Sequence, residues 1–353
     1  MKTILILLSL LLLSLPNQTS AQPPQPNPAQ KGSKAFISVP VSVSDREGRY
    51  ISGLKKDDFT IYQDGVKQNI SFFATFDEPL NIALLLDTSG STQGEALAKI
   101  KDAAKEFIEL LNPTDKCMIA TFDAEVNILN QFTSEQNELK KSIDKVQTAQ
   151  KDGTVLNRAI MQITQTSFNN IEGRKVIVLL SDGKDFGSNV AKKDLMNLLE
   201  ESDVLIYSIF YQTGEGFDKL VIAPNGKVSE AKNNKKPIKE KPPKKPRGYV
   251  IGIPPQVDII PQEEIKYHEK TADIIAVDSL REMSDTTAGR FYLSDTPDLS
   301  KIFKQVASEL REQYRLGYNS NNAANDLAVH DITVKVNKPN AVVKTRGKFR
   351  GKQ

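Results

Sequence analysis

The chain has 353 residues, of which 39% are hydrophobic and 26% are charged, and its formal net charge is +3. This length suits one large domain or two smaller ones, and the composition excludes collagen-like, coiled-coil and fully disordered chains. A single cysteine excludes an intramolecular disulfide framework and a cysteine-rich metal site, and two histidines argue against a histidine-clustered zinc centre. Since 47 basic residues nearly balance 44 acidic ones, overall charge identifies no partner.

The N-terminus has the pattern of a secretory signal peptide, which we predict over residues 1–21. Lys2 precedes an apolar run from Ile4 to Leu15, and small residues at 19–21 offer a cleavage site. The run is shorter than the roughly 20 residues that a membrane span needs, although an uncleaved anchor is the alternative. We therefore expect export to the periplasm or the extracellular space, without stable membrane insertion.

Two segments have the composition of a linker and of an insertion. Residues 22–33 contain four prolines and predict a flexible leader. Residues 214–269 are predicted to be a surface insertion, whose basic half, 227–247, carries nine basic residues and few apolar ones. This half is expected to be a disordered, solvated loop. Nucleic-acid binding is not expected, because Tyr249 is the only aromatic residue near these charges.

Alternating apolar and polar residues predict strands at both ends of the chain, in residues 34–78 and 313–353. Each end alone has too few strands for a stable sheet. We therefore expect the two ends to pair into one small antiparallel β module. Within the first end, Pro40 predicts an edge strand, and Asp64-Gly65 predicts a hairpin between the runs at 59–62 and 70–72.

The middle of the chain, residues 79–312, predicts an α/β domain interrupted by the insertion. Short apolar runs, typical of strands buried on both faces, occupy residues 81–86, 117–122, 176–180 and 204–210, and a short strand is predicted at 290–293. Helical periodicity lies between and after them, near residues 97–111, 139–146, 155–168, 195–199, 274–283 and 299–310. This alternation predicts a doubly wound, mainly parallel, Rossmann-like sheet, in which ligands bind at the carboxyl ends of the strands.

Three polar loops are predicted to meet at that edge. Asp87-Thr88-Ser89-Gly90-Ser91 follows the first buried strand, and Ser181-Asp182-Gly183 follows the third. Asp152-Gly153-Thr154 opens the helix between them and can reach the same edge. Together the loops offer carboxylates and hydroxyls, an oxygen-only ligand set that suits Mg²⁺.

This pattern resembles the von Willebrand factor A domain with its metal-ion-dependent adhesion site, which combines a D-x-S-x-S loop with a distant Thr and a distant Asp. The corresponding residues are Asp87, Ser89, Ser91, Thr154 and Asp182. The resemblance covers about residues 80–312. The flanks resemble a narrower group of bacterial secreted proteins with A-like domains, through the motifs at 53–54, 57–59, 62–65 and 313–318.

The resemblance implies that the hydroxyls of Ser89, Ser91 and Thr154 bind Mg²⁺, or another divalent cation such as Mn²⁺, directly or through water. It implies that Asp87 and Asp182 act mainly through bridging waters. The cation is then incompletely neutralised, so a protein partner could supply a carboxylate to it. The expected function is that of a secreted, non-enzymatic adhesion or binding module; the sequence leaves its oligomeric state and its partner open.

Other interpretations of the same residues stay open at this point. Asp87 and Ser89 could form a turn that caps the next helix, although capping does not explain Thr154 or Asp182. The protein could instead be a metal-independent structural or assembly component of the cell envelope. A metal-assisted hydrolase would need a general base beyond the carboxylates already assigned.

Two further residues receive predictions. Cys117 lies in an apolar run, so we expect a buried, inert thiol rather than a nucleophile. Asp185 could be either a carboxylate that supports the metal site or a solvated loop residue.

Overall fold

A computed structural model describes residues 34–47, 49–75, 78–92, 94–149, 153–211, 220–222, 228–230, 262–294, 299–323 and 328–350. The predicted signal peptide at 1–21, the leader at 22–33 and most of the predicted insertion at 214–269 lie outside these residues. In the described part of the chain, no helix is both long and apolar enough to cross a membrane.

Strands and helices are numbered here in chain order. The strands are β1 (Lys34–Ser44), β2 (Phe59–Gln63), β3 (Val66–Gln68), β4 (Ile70–Ala74), β5 (Leu80–Asp87), β6 (Lys116–Phe122), β7 (Val126–Ile128), β8 (Arg174–Ser181), β9 (Val204–Tyr211), β10 (Leu220–Ile222), β11 (Val228–Glu230), β12 (Phe291–Ser294), β13 (Tyr314–Ala323), β14 (Val329–Val336), β15 (Val342–Thr345) and β16 (Lys348–Arg350). The α-helices are α1 (Glu95–Glu109), α2 (Gln136–Asp144), α3 (Leu156–Gln162), α4 (Lys192–Glu201), α5 (Gln262–Thr286) and α6 (Leu299–Arg311).

A six-stranded sheet forms the centre of the α/β domain, in the order β12-β9-β8-β5-β6-β7. All neighbouring pairs are parallel except β6 with β7. The central strand β5 is buried on both faces: Leu84 and Leu86 pack with α1, α2 and α6, whereas Ala83 and Leu85 pack with α3, α4 and α5. The predicted fold class, a mainly parallel sheet between helical layers, is confirmed.

The strands at the two ends of the chain pair with each other, as the fold-class prediction required. One sheet has the order β15-β1-β13-β4 and a second has the order β16-β14-β2-β3. Val39 and Leu316 from the first sheet share one buried cluster with Ile61 and Val334 from the second. The module is therefore a small β-sandwich that neither end of the chain could form alone.

Two details of this module differ from the sequence predictions. The strand that contains Pro40 is not an edge strand, because β1 lies between β13 and β15; Pro40 is tolerated because its pairing with β15 begins only at Val41. Asp64-Gly65 does form a hairpin, but its second strand is β3, and the run at 70–72 pairs with β13 in the other sheet.

The predicted insertion is partly described. Residues 220–222 and 228–230 pair as antiparallel strands, so the start of the half predicted to be disordered contains a short strand. Helix α5 begins at Gln262, within the range predicted for the insertion. The helix predicted at 155–168 also differs, because α3 ends at Gln162 and continues as a π-helical turn, Ile163–Ser167.

A tight contact between the end of α5 and the sheet gives the first testable prediction. A Cβ atom on Gly289 would lie 2.0 Å from the carbonyl oxygen of Ile206 in β9, whereas a Cβ on Gly347 would meet nothing within 4 Å. We expect Gly289→Ala to destabilise the fold by about 3 kcal/mol or more, because backbone atoms must move. The matched change Gly347→Ala should alter stability by less than about 1 kcal/mol. Thermal unfolding of the two variants measures this difference in stability. Equal losses of stability in both variants would contradict the prediction.

Candidate metal centre

Asp87 ends the central strand β5 at the carboxyl edge of the sheet and is 1% exposed. Its Oδ1 accepts a hydrogen bond from the backbone N–H of Ser89 at 2.9 Å. Its Oδ2 accepts one from the Ser181 hydroxyl, at the end of the neighbouring strand β8, at 2.6 Å. The carboxylate is therefore held by the loop that follows β5 and by the strand that precedes Asp182.

Asp182 follows Ser181 directly, and it is 6% exposed. Burial and the nearby negative charge of Asp182 raise the pKa of Asp87 to about 6, although the hydrogen bonds from Ser181 and Ser89 oppose this shift. Two nearly buried carboxylates thus lie close enough to repel each other. A divalent cation would relieve that repulsion, so the donor chemistry at this edge fits a hard cation.

Thr154 reaches the same edge through the loop after Asp182. Its backbone N–H donates to the carbonyl of Phe186 at 3.1 Å, and the N–H of Phe186 donates to the carbonyl of Thr154 at 2.7 Å. The N–H of Val155 donates to the carbonyl of Asp123 at 2.7 Å, which fixes the start of α3 beside β6. Thr154 is 6% exposed, and the backbone hydrogen bonds of Thr154 and Val155 fix its position.

Ser89 and Ser91 belong to the loop between β5 and α1. Ser89 is 6% exposed, and its carbonyl accepts both the N–H and the hydroxyl of Thr92, at 2.9 and 2.8 Å. Ser91 lies in the 3-10 turn Gly90–Thr92 that these bonds close. Asp152, which precedes Thr154, lies outside the described residues. The three predicted loops therefore converge on one edge of the sheet, while metal ligation by their side chains stays a prediction.

Asp185 fixes the loop that follows Asp182. Its Oδ1 accepts the backbone N–H of Asn157 at 3.0 Å, and its Oδ2 accepts the Asn157 side-chain amide at 3.1 Å. The hydroxyl of Ser188 also donates to Asp185. Of the two interpretations left open by the sequence, the structure favours a supporting role, because these bonds tie the Asp182 loop to the start of α3.

Three residues at this edge were not identified from the sequence. Ser181 donates to Asp87, as described above. The ammonium of Lys184 lies 3.6 Å from Oδ2 of Asp182 and 3.1 Å from Oδ1 of Asp273 in α5. Burial lowers the pKa of Lys184, but the charges of these two aspartates outweigh it and raise the pKa overall. Lys184 and Asp273 are 89 positions apart, so sequence spacing carries no signal for this contact.

Among the described residues, this edge of the sheet included, no group of three or more His, Cys, Asp or Glu side chains is placed to hold a metal. The predicted ligand set is a different one, because it combines two carboxylates with hydroxyls. Cys117 is buried, as predicted, and burial raises the pKa of its thiol to about 12, which disfavours the reactive thiolate.

An open cleft of about 280 Å³ adjoins the loop after Asp182. Phe186 from that loop and Ile275 from α5 line the cleft and are 62% and 63% exposed. Large apolar side chains exposed together beside a polar site are typical of surfaces that contact another protein.

Comparisons with known proteins show what the central domain is similar to. Residues 82–184 match the family model of the von Willebrand factor type A domain. The chain is also 32% identical over 110 residues to an uncharacterized protein, sll0103, of Synechocystis sp.. That similarity covers 30% of this chain and 26% of the cyanobacterial protein, so it concerns only about a quarter of that relative.

Several solved structures are similar at low sequence identity. An aerotolerance-related membrane protein from Bacteroides fragilis is 15% identical, with a TM-score of 0.42 over 66% of this chain and 99% of its own. The conserved hypothetical protein BatB from Bacteroides thetaiotaomicron is 16% identical, with a TM-score of 0.41 over 65% and 97%. Proximal thread matrix protein 1 from the mussel byssus, in a form with a zinc-occupied metal-ion-dependent adhesion site, is 14% identical, with a TM-score of 0.43 over 70% and 49%.

The electrostatics of the site give the second prediction, for the protein kept free of metal by EDTA. The pKa of Asp87 is raised from 3.8 to about 6, so its charge lowers the free energy of unfolding by about 3 kcal/mol. A neutral amide removes this penalty and loses roughly 1 kcal/mol with one hydrogen bond. Asp87→Asn should therefore be as stable as wild type or up to about 2 kcal/mol more stable at pH 7.

The matched change Asp185→Asn should act in the opposite direction. Asp185 accepts three hydrogen bonds, and an amide in its place would turn an N–H group toward an N–H donor of Asn157, so we expect a loss of about 1 to 3 kcal/mol. Chemical denaturation in EDTA measures both variants. If Asp87→Asn lost as much stability as Asp185→Asn, the Asp87 carboxylate would have a structural role rather than carry an electrostatic penalty.

Proposed function

We propose that this chain is a non-enzymatic binding module whose divalent-cation site engages a carboxylate of a protein partner. The match of residues 82–184 to the family model of the von Willebrand factor type A domain supports this proposal. The observation that carries the proposal is the burial of Asp87 beside Asp182 at the carboxyl edge of the sheet. A buried pair of like charges is unfavourable by itself, and it suits a site that gains a cation.

In this proposal, the hydroxyls of Ser89, Ser91 and Thr154 hold Mg²⁺, or Mn²⁺ in its place, directly or through water. Asp87 and Asp182 act mainly through water. When bound, the cation supplies a Lewis-acidic point that attracts an anionic oxygen. The chain supplies the orientation: Ser181 fixes the Asp87 carboxylate, and the backbone bridge from Thr154 to Phe186 fixes the third loop.

The proposed partner is a protein that contributes an Asp or Glu side chain. Hydroxyl ligands leave the positive charge of a cation less neutralised than carboxylate ligands would, so a further carboxylate is bound strongly. The exposed side chains of Phe186 and Ile275 lie in the cleft beside the site and provide apolar contact area for that partner. No catalytic base is assigned to the site in this proposal.

We also propose that the protein acts after export, in the periplasm or outside the cell. The support for this is the sequence pattern of the first 21 residues, which lie outside the described part of the chain.

The third prediction tests the cation site directly. Mg²⁺ at 100 times its dissociation constant should stabilise the wild-type protein by about 2.7 kcal/mol, measured as a rise in the melting temperature that EDTA reverses. Asp87→Ala and Asp182→Ala should abolish this rise, because each removes a carboxylate that carries the attraction for the cation.

Asp102→Ala, at an exposed position of α1, is the matched control and should keep the full response to Mg²⁺. A response that is equal in wild type, Asp87→Ala and Asp182→Ala would contradict the proposed site.

A further inference from the structure

Lys184 lies between two nearly buried carboxylates, one in the candidate metal centre and one on α5. Its ammonium contacts Asp182 at 3.6 Å and Asp273 at 3.1 Å. The side chains of Asp182 and Asp273 are 7% and 5% exposed, whereas that of Lys184 is 32% exposed. Since a buried carboxylate needs a compensating charge, this one lysine serves both acids.

The backbone keeps Lys184 at this position. Gly183 has a φ of +75°, and a Cβ there would lie 2.9 Å from a methyl of Leu280 and 3.0 Å from the carbonyl oxygen of Ala276. The loop is thus pressed against α5. Because Asp273, Ala276 and Leu280 follow the i, i+3, i+7 spacing of one helix face, that face presents Asp273 to the loop.

The charges around Lys184 suit exchange with a cation. The ammonium of Lys184 carries the same sign of charge as a bound cation and contacts Asp182, so the two would compete for that carboxylate. The ammonium and a bound cation would repel each other, and the repulsion is strong at short range in a partly buried site. Asp273 offers the ammonium a position away from Asp87.

We propose that Lys184 is a resident counter-ion that sets the affinity of the centre for its cation. It neutralises Asp182 when no cation is bound, and Asp273 retains it on the α5 side when Asp182 turns to the cation. The proposal rests on the cation-dependent function proposed above. Lys184 and Asp273 are positioning residues here, because neither is a ligand of the cation.

The test measures the Kd of the full mature chain for Mg²⁺ by isothermal titration calorimetry. Lys184→Met should lower the Kd about tenfold or more, because the competing charge is removed. Asp273→Asn should raise it about tenfold, because the ammonium is then left with Asp182 alone. When Asp273→Asn is added to Lys184→Met, the Kd should differ by less than about threefold from that of Lys184→Met alone. The reason is that the ammonium on which Asp273 acts is absent from both proteins.

A second measurement follows the metal-free protein. In EDTA, Lys184→Met should melt at a lower temperature than wild type, because Asp182 and Asp273 lose their shared counter-charge. Lys184→Arg should keep the wild-type Kd within about threefold, because it keeps the positive charge. A lysine with a merely structural role would give weaker Mg²⁺ binding, not tighter binding, when it is replaced by Met.

Lys192→Met is the matched control. Lys192 lies on α4, lines the same cleft and pairs with Glu282 at 2.6 Å, so its loss should leave the Kd for Mg²⁺ unchanged. A Kd in Lys184→Met equal to that in Lys192→Met would overturn the counter-ion role while leaving the cation site intact. If Lys184→Met does not fold, an unchanged Kd in Asp273→Asn would overturn it. A wild-type protein that does not bind Mg²⁺ would remove both this role and the proposed function.

Discussion

The burial of the Asp87 carboxylate at the end of the central strand is the constraint around which this edge of the protein is organised. Desolvation raises the free energy of the charged form, and the neighbouring Asp182 raises it further. Ser181 and the backbone of Ser89 offset part of this penalty by donating to both oxygens. An exposed aspartate could form the same turn without the free-energy cost of a buried charge. The burial of the charged Asp87 is therefore typical of a functional site rather than of a turn.

The β module occupies the opposite edge of the sheet, so this described part of the chain does not cover the carboxyl edge. At the amino edge, Asp115 accepts the N–H of Leu80 at the start of β5 and pairs with Arg311 at the end of α6. The buried Arg346 of the module donates to two carbonyls at the end of α4, those of Glu200 and Ser202. The first strand and the last helix of the α/β domain are therefore held together at the edge where the module attaches, away from the candidate metal centre.

Much of this architecture follows from the sequence, because strands that are buried on both faces must be apolar throughout. The apolar runs that form β5, β6, β8 and β9 can be recognised in this way. The polar loops at their ends can then be recognised because they follow these runs directly. Short elements such as β7 carry too few apolar residues to be recognised. Which strands pair in the β module is also not encoded locally, since β1 meets β13 more than 200 residues away, and only tertiary packing placed the run at 70–72 in that sheet.

The part of the site that sequence reasoning missed is its charge balance. The D-x-S-x-S loop, Thr154 and Asp182 are recognisable because they stand next to strands and helices whose positions can be predicted. Lys184 and Asp273 are recognisable only after α5 has been packed against Gly183, since their contact depends on the crossing of a loop and a helix. In the proposed centre, the affinity for a cation would then depend on β5, β8, the start of α3 and α5, and α5 would act on it through the ammonium group of Lys184. A substitution that changes the charge of a helix that supplies no ligand would therefore alter the affinity of the proposed centre.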